Sequence, residues 1–134
     1  MAHKMNITQE TEDALRKANV PEEGIAKLRE TEVDDVDVEK LDLDSLDGIA
    51  GGGIYGIKVW APDDWRCSPY DNMTWIEGAT FIKGMCDSFG EDVAIDICNK
   101  RYCKSVDWAD YIHGYGPEYA AYYMWSMAYS VWHG

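Results

Sequence analysis

Four cysteines are the side chains of this 134-residue sequence with the clearest capacity for chemistry. Their even number in a short C-terminal segment is typical of a disulfide-stapled exported domain. They do not form the two closely spaced pairs of a structural zinc site, so we predict no metal. The sequence alone does not choose among the three possible pairings. As a hypothesis we pair Cys67 with Cys103 and, within the loop that this disulfide closes, Cys86 with Cys98.

A second group with chemical potential surrounds His113. Asp107 and Asp110 are close to it in sequence, and together they could be imagined as an acid–base site. A lone histidine is more often structural, so we predict that the protein is not an enzyme and uses no cofactor. Three other acidic residues, Asp63, Asp64 and Asp71, fall between turn signals and predict a solvated loop.

The chain changes character at Gly52. Up to that residue it has 14 acidic and 6 basic residues and no Trp, Tyr, Phe or Cys. From Gly53 onward it has 11 acidic and 6 basic residues and contains all six Trp and all nine Tyr. This division predicts a leader over 1–52 and a small product domain over 53–134. The net charge of −13 argues against binding to nucleic acid.

The elements that must position these residues are mainly helical. Thr11 to Glu32 predicts two short, weakly stable helices, with Pro21 in the first turn of the second helix. Their thin apolar stripe consists of Leu15, Ile25 and Leu28, and such helices need a partner to become firm.

The C-terminal half predicts one strand followed by helices. Ile54 to Trp60 has the β-branched and aromatic content of a strand. Thr74 to Phe89 and Glu91 to Lys104 predict two helices separated at Gly90. Pro117 to Trp132 is apolar on every side, which indicates either a packed core helix or a helix for a membrane interface or partner. The predicted fold class is therefore mainly α: a weakly structured acidic helical leader and a small α-rich domain.

The acidic run from Glu32 to Asp47 carries regularly spaced apolar residues, and three consecutive glycines follow at residues 51–53. Counted back from Gly52, the apolar anchors Ile49, Leu46 and Leu41 stand at the fourth, seventh and twelfth positions. A solvated acidic linker is the simplest alternative. Calcium binding is disfavoured, because a loop starting at Asp42 lacks the oxygen ligand and glycine that an EF-hand requires at its centre.

This pattern resembles the double-glycine leader of bacteriocins and other ribosomal peptide precursors. The stretches DALRKA, PEEGIAKLRE and LDSLDGIAGG are also similar to the Nif11-like leader, and the resemblance covers about residues 11–53. It implies that a cysteine peptidase fused to an ABC exporter grips Leu41, Leu46 and Ile49 and cuts after the pair Gly51–Gly52. Because Gly53 also follows, cleavage one residue later is the alternative, but it fits the anchors less well.

The resemblance further implies a precursor made in the cytoplasm and a secreted, bacteriocin-like product. A maturation enzyme that makes thioether crosslinks is a possible additional partner, and the product would meet a receptor or membrane interface of a target cell. Two alternatives stay open. One is an exported, non-toxic binding or signalling protein that uses the leader as a secretion tag, and the other is an unprocessed intracellular domain with a disordered acidic arm.

Overall fold

The computed structural model describes residues 7–33, 60–102 and 108–133, and this part of the chain is mainly helical, as predicted. Its six helices are α1 (Gln9–Lys17), α2 (Glu22–Glu30), α3 (Trp75–Phe89), α4 (Glu91–Arg101), α5 (Trp108–Tyr115) and α6 (Pro117–His133).

Residues 7–33 form a helical hairpin, here called the N-terminal hairpin. Thr8 caps α1 by accepting a hydrogen bond from the backbone N–H of Thr11. Asn19 adopts the left-handed conformation, with φ of 68°, and turns the chain toward α2. The two predicted helices are therefore present. Pro21 occupies the N-cap position of α2 and therefore precedes its first turn.

Helices α3 and α4 are separated at Gly90, as predicted. Thr74 and Glu77 form a capping box at the start of α3. Gly90, with φ of 96°, occupies backbone space that other residues avoid and separates the two helices. Helix α4 ends at Arg101, three residues before the predicted end at Lys104, which lies outside the described residues.

Helix α6 is a packed core helix, the first of the two roles that its sequence indicates. Trp125 on α6 is fully buried, and it lies so close to Gly78 on α3 that a Cβ at Gly78 would be 2.5 Å from its ring. The small residues Ala120 and Ala121 are also fully buried. Among the helices described, none combines the length and apolar character needed to span a membrane.

The N-terminal hairpin belongs to the same hydrophobic cluster as the C-terminal helices. Leu15 and Ile25 are fully buried and Leu28 is 2% exposed, so the predicted apolar stripe is correct. The partner that these residues need is supplied by the chain itself, because α1 packs on α4 and α2 packs on α3. The proposed boundary between residues 52 and 53 lies outside the described residues.

The described residues contain no strand. An isolated antiparallel bridge joins Cys67 and Met73. The strand predicted over Ile54 to Trp60 lies outside the described residues except for Trp60, which precedes a turn and stacks on Tyr122 with ring centroids 4.8 Å apart.

Candidate functional site

Asp71 is the centre of a buried polar cluster that joins the two halves of the chain. Its side chain is 1% exposed, although a carboxylate is seldom buried without compensation. We name the group formed by Asp71, Thr8, Thr11, Arg101 and Tyr102 the Asp71 cluster.

The carboxylate of Asp71 accepts hydrogen bonds from both halves. From α1, the hydroxyl of Thr11 donates to Oδ2 at 2.6 Å and that of Thr8 donates to Oδ1 at 3.1 Å. From the end of α4, the hydroxyl of Tyr102 donates to Oδ2 at 2.8 Å, and Arg101 Nη2 forms an ion pair with Oδ1 at 3.0 Å. The charge is therefore compensated by one cation and three hydroxyl groups.

Arg101 also bridges the two halves. Its Nε donates to the hydroxyl oxygen of Thr11 at 3.1 Å, and its Nη2 lies 3.1 Å from Glu10 Oε2. Partial burial lowers the pKa of Arg101, but the hydrogen bond and charge of Asp71 outweigh that effect and raise it overall. Burial raises the pKa of Tyr102 well above its ordinary value, and the charge of Asp71 raises it further. Arg101 is thus charged and Tyr102 neutral at physiological pH.

A tight turn aims the Asp71 carboxylate inward. Cys67 and Met73 pair across the turn, with the Cys67 N–H donating to the Met73 carbonyl at 2.9 Å. Asp71 and Asn72 both have φ near 60°, a left-handed conformation that Asp and Asn tolerate better than most residues. The prediction of a solvated loop is wrong for Asp71, because the turn and α1 enclose it. It is correct for Asp63 and Asp64, which are exposed.

An open pocket of about 360 Å³ lies beside the cluster. Its lining is mostly apolar, with Arg101 at one side, and consists of Cys67, Pro69, Tyr70, Arg101, Tyr102, Ala128 and Val131. Val131 is 79% exposed. Arg101 is already paired with Asp71 and Glu10, so the guanidinium is not a ready anion site.

The cysteines predicted to form disulfides are free thiols where they are described. Cys67 and Cys98 are buried and Cys86 is half-buried, while Cys103 lies outside the described residues. Burial raises the pKa of Cys67 to about 12. Burial and then the charges of Glu91 and Asp87 raise the pKa of Cys86 to about 11. Protonated thiols of this kind are poor nucleophiles at neutral pH.

Cys86 lies on α3 and Cys98 on α4, and these two helices pack against each other. Burial raises the pKa of Cys98 well above its ordinary value, and the charge interaction with Cys86 raises it further. In the described residues these thiols do not gather with His, Asp or Glu into a group of three or more that could hold a metal ion.

The predicted leader residues Leu41, Leu46, Ile49, Gly51, Gly52 and Gly53 all lie outside the described residues. His113 is exposed, and its Nδ1 lies 3.1 Å from Glu91 Oε1 at the start of α4. Asp110 is exposed, and Asp107 lies outside the described residues.

Two features were missed by sequence reasoning. Helix α5 could have been found from the spacing of Trp108, Tyr111, Ile112 and Tyr115, which follow the i, i+3, i+4, i+7 pattern of a helix face. The Asp71 cluster has no comparable signal, because its bonds between different segments join residues that are 30 to 90 positions apart.

Comparisons with protein-family models, with characterised proteins and with solved structures yield no match to this chain. The function must therefore be argued from the residues themselves.

Proposed function

We propose that this chain is the precursor of a secreted, bacteriocin-like peptide or small protein, and that its leader is removed after Gly52 during export. The observation that carries the proposal is the spacing of Leu41, Leu46 and Ile49 before Gly51–Gly52. Offsets of five and three residues place the anchors roughly on one side of a helical or bent segment, which a peptidase groove can hold. Glycines lack side chains and can enter a narrow active-site channel.

The change in composition at the same point supports this proposal. All Trp, Tyr and Phe residues lie after Gly52, whereas the acidic segment before it contains none. The partner for the leader is a peptidase-containing ABC exporter. The precursor is cytoplasmic and the product is secreted.

Cleavage in vitro tests this proposal directly. The full chain is incubated with the isolated peptidase domain of a double-glycine exporter, and the products are weighed by mass spectrometry. We expect a fragment that begins at Gly53. Absence of cleavage of the unaltered chain, or cleavage elsewhere, contradicts the proposal.

Matched variants identify which residues the peptidase reads. Leu46→Ala removes an anchor and should slow cleavage, whereas Leu43→Ala removes an apolar residue that stands at no anchor position. Gly52→Val should block the narrow channel, whereas Gly53→Ala should be tolerated. If Gly53→Ala blocks cleavage, the cut lies after Gly53, one residue later than proposed.

The product is better suited to a receptor than to bulk lipid. With 11 acidic and 6 basic residues, the product has a net negative charge, so anionic membranes do not attract it. Most described aromatic side chains are buried, and the half-exposed ones are Trp60, Trp65, Phe89, Tyr115 and Tyr129. Growth inhibition of Gram-positive neighbours without dye leakage from vesicles is the expected result. A product with neither effect is instead an exported binding or signalling protein.

The finer details of the fold remain part of the proposal. We propose that, after export to an oxidising environment, Cys86 pairs with Cys98 and Cys67 with Cys103, and that Ile54 to Trp60 forms a strand. The packing of α3, which carries Cys86, against α4, which carries Cys98, supports the first pair. The intact mass of extracellular material with and without reduction tests whether two disulfides form, since each gains two hydrogens on reduction. A loss of water at Ser or Thr would reveal a maturation enzyme instead.

An unprocessed intracellular domain is the second candidate. The observation that favours it is the shared core, in which Leu15 and Ile25 are buried with the C-terminal helices. Native material that keeps residues 1–52 and reduced cysteines would support this candidate over the export precursor.

A further inference from the structure

We propose that the N-terminal hairpin stays bound to the product after cleavage, so that the processed protein consists of two non-covalently associated chains. This inference rests on the proposed processing after Gly52. The binding surface on the product is formed by α3, the turn at Asp71 and α4, and its occupant is residues 7–33 of the same chain.

Apolar packing is the first argument. Leu15 on α1 and Ile25 on α2 are fully buried in the cluster that also contains the core of the C-terminal helices. Removal of the hairpin would return these side chains, and the surface that they cover, to water.

Close backbone approach is the second argument. A Cβ built on Gly24 of α2 would lie 2.7 Å from the Phe89 ring at the end of α3. A Cβ built on Gly84 of α3 would lie 3.2 Å from Leu28 Cδ2. Each helix thus presents a glycine where the other brings a large side chain, which is the shape complementarity of a fitted interface.

The Asp71 cluster is the third argument. Departure of the hairpin removes the hydroxyl groups of Thr8 and Thr11 from Asp71 and takes Glu10 away from Arg101. The carboxylate would keep only its bonds to Arg101 and Tyr102. Water would have to replace these contacts, and because hydrogen bonds to a charged group contribute more net free energy than neutral ones, the cluster favours the bound hairpin.

The test uses the full chain with the recognition sequence of a site-specific protease inserted directly after Gly52. After complete cleavage, confirmed by mass, the sample is analysed by size-exclusion chromatography and native mass spectrometry. We expect one species that contains both chains and that separates only in denaturant. Elution of the two chains apart under native conditions overturns the inference.

Two threonine variants show whether the Asp71 cluster holds the hairpin. Thr11→Val removes the hydroxyl that contacts Asp71 and Arg101 and should accelerate dissociation of the cleaved protein about tenfold. Thr31→Val is the matched control, because the hydroxyl of Thr31 donates to the Lys27 carbonyl within the hairpin itself. Equal dissociation rates for the two variants would show that the cluster does not hold the hairpin.

The outcome of this test does not depend on the proposed function. The inserted site is cut without the exporter peptidase, so retention of the hairpin is measured whether or not that peptidase recognises the leader. Chains that separate refute retention alone. A peptidase that ignores Gly51–Gly52 refutes the processing.

Discussion

Asp71 shows how a single side chain can be both buried and charged. The tight turn directs its carboxylate between α1 and the end of α4, where three hydroxyl groups and Arg101 take the place of water. Burial of a carboxylate is tolerated only with such compensation. The cluster therefore fixes the relative position of segments that are distant in sequence.

Replacement of the charge at this position should be costly. Asp71→Asn keeps the size of the side chain and tolerates the left-handed backbone, but it leaves Arg101 without its buried counter-ion. We expect the free energy of unfolding to fall by about 3 kcal/mol. Urea denaturation followed by tryptophan fluorescence measures it. Asp64→Asn, at an exposed position, should change the value by less than about 0.5 kcal/mol. Equal effects would mean that the cluster contributes nothing specific.

At the scale of the elements, the contact between α3 and α6 depends on a missing side chain. Gly78 lets the Trp125 ring approach the α3 backbone, and neither residue can move without disturbing the core. Helix propensity alone would favour alanine at this position by about 1 kcal/mol. Packing overrides that preference.

Two glycine substitutions should therefore have opposite signs. Gly78→Ala places a methyl group within 2.5 to 3.0 Å of three Trp125 ring atoms and should destabilise the protein by about 1–3 kcal/mol. Gly114→Ala, on α5 with open space around it, should stabilise by about 0.5–1 kcal/mol. Thermal denaturation of the two variants beside the parent protein gives both signs. A stabilised Gly78→Ala variant would contradict the observed helix contact.

The N-terminal hairpin and the C-terminal helices should unfold together. Leu15→Ala leaves a cavity in the shared core and should reduce the free energy of unfolding by about 2–5 kcal/mol. Tryptophan fluorescence reports only on the C-terminal half, because residues 1–52 contain no tryptophan. A shifted fluorescence transition thus demonstrates coupling. The exposed control Lys17→Ala should leave the transition in place. An unchanged transition for Leu15→Ala would show that the two halves unfold independently.

At the scale of the whole molecule, buried thiols and tyrosines make stability sensitive to alkali. Above the ordinary thiol pKa of 9.0, the unfolded chain releases protons that the folded chain keeps, up to about pH 12 at Cys67. The unfolded state then binds fewer protons, so stability falls as the pH rises. The raised pKa of Tyr102 adds to this loss above pH 10.

We expect the reduced protein to lose stability steadily from about pH 9 to pH 11, with Cys67 contributing up to about 1.4 kcal/mol per pH unit. Urea denaturation followed by far-ultraviolet circular dichroism, with reductant present, measures this slope. Cys67→Ala should flatten the slope because it removes one of the titrating groups. Constant or increasing stability over this range would contradict the burial of the thiols.

Much of the secondary structure was predictable because it depends on local spacing. The helix pair in residues 11–32, the division of α3 from α4 at Gly90 and the apolar helix after Pro117 all follow from periodicity and capping residues. Helix α5 carried the same signal and was overlooked. The double-glycine pattern is likewise a property of sequence, and it supports a hypothesis about processing that depends on residues 41–53.

Tertiary structure decided which residues share an environment. Asp63, Asp64 and Asp71 look equivalent in the sequence, yet of the three only Asp71 is enclosed. It is covered by α1, whose Thr11 is 60 positions away in the chain. Leu15, Ile25 and Leu28 predicted an apolar stripe, but only the fold showed that α3 and α4 are its partners. Burial and counter-charges depend on contacts between distant segments, and local patterns in a sequence do not encode which segments meet.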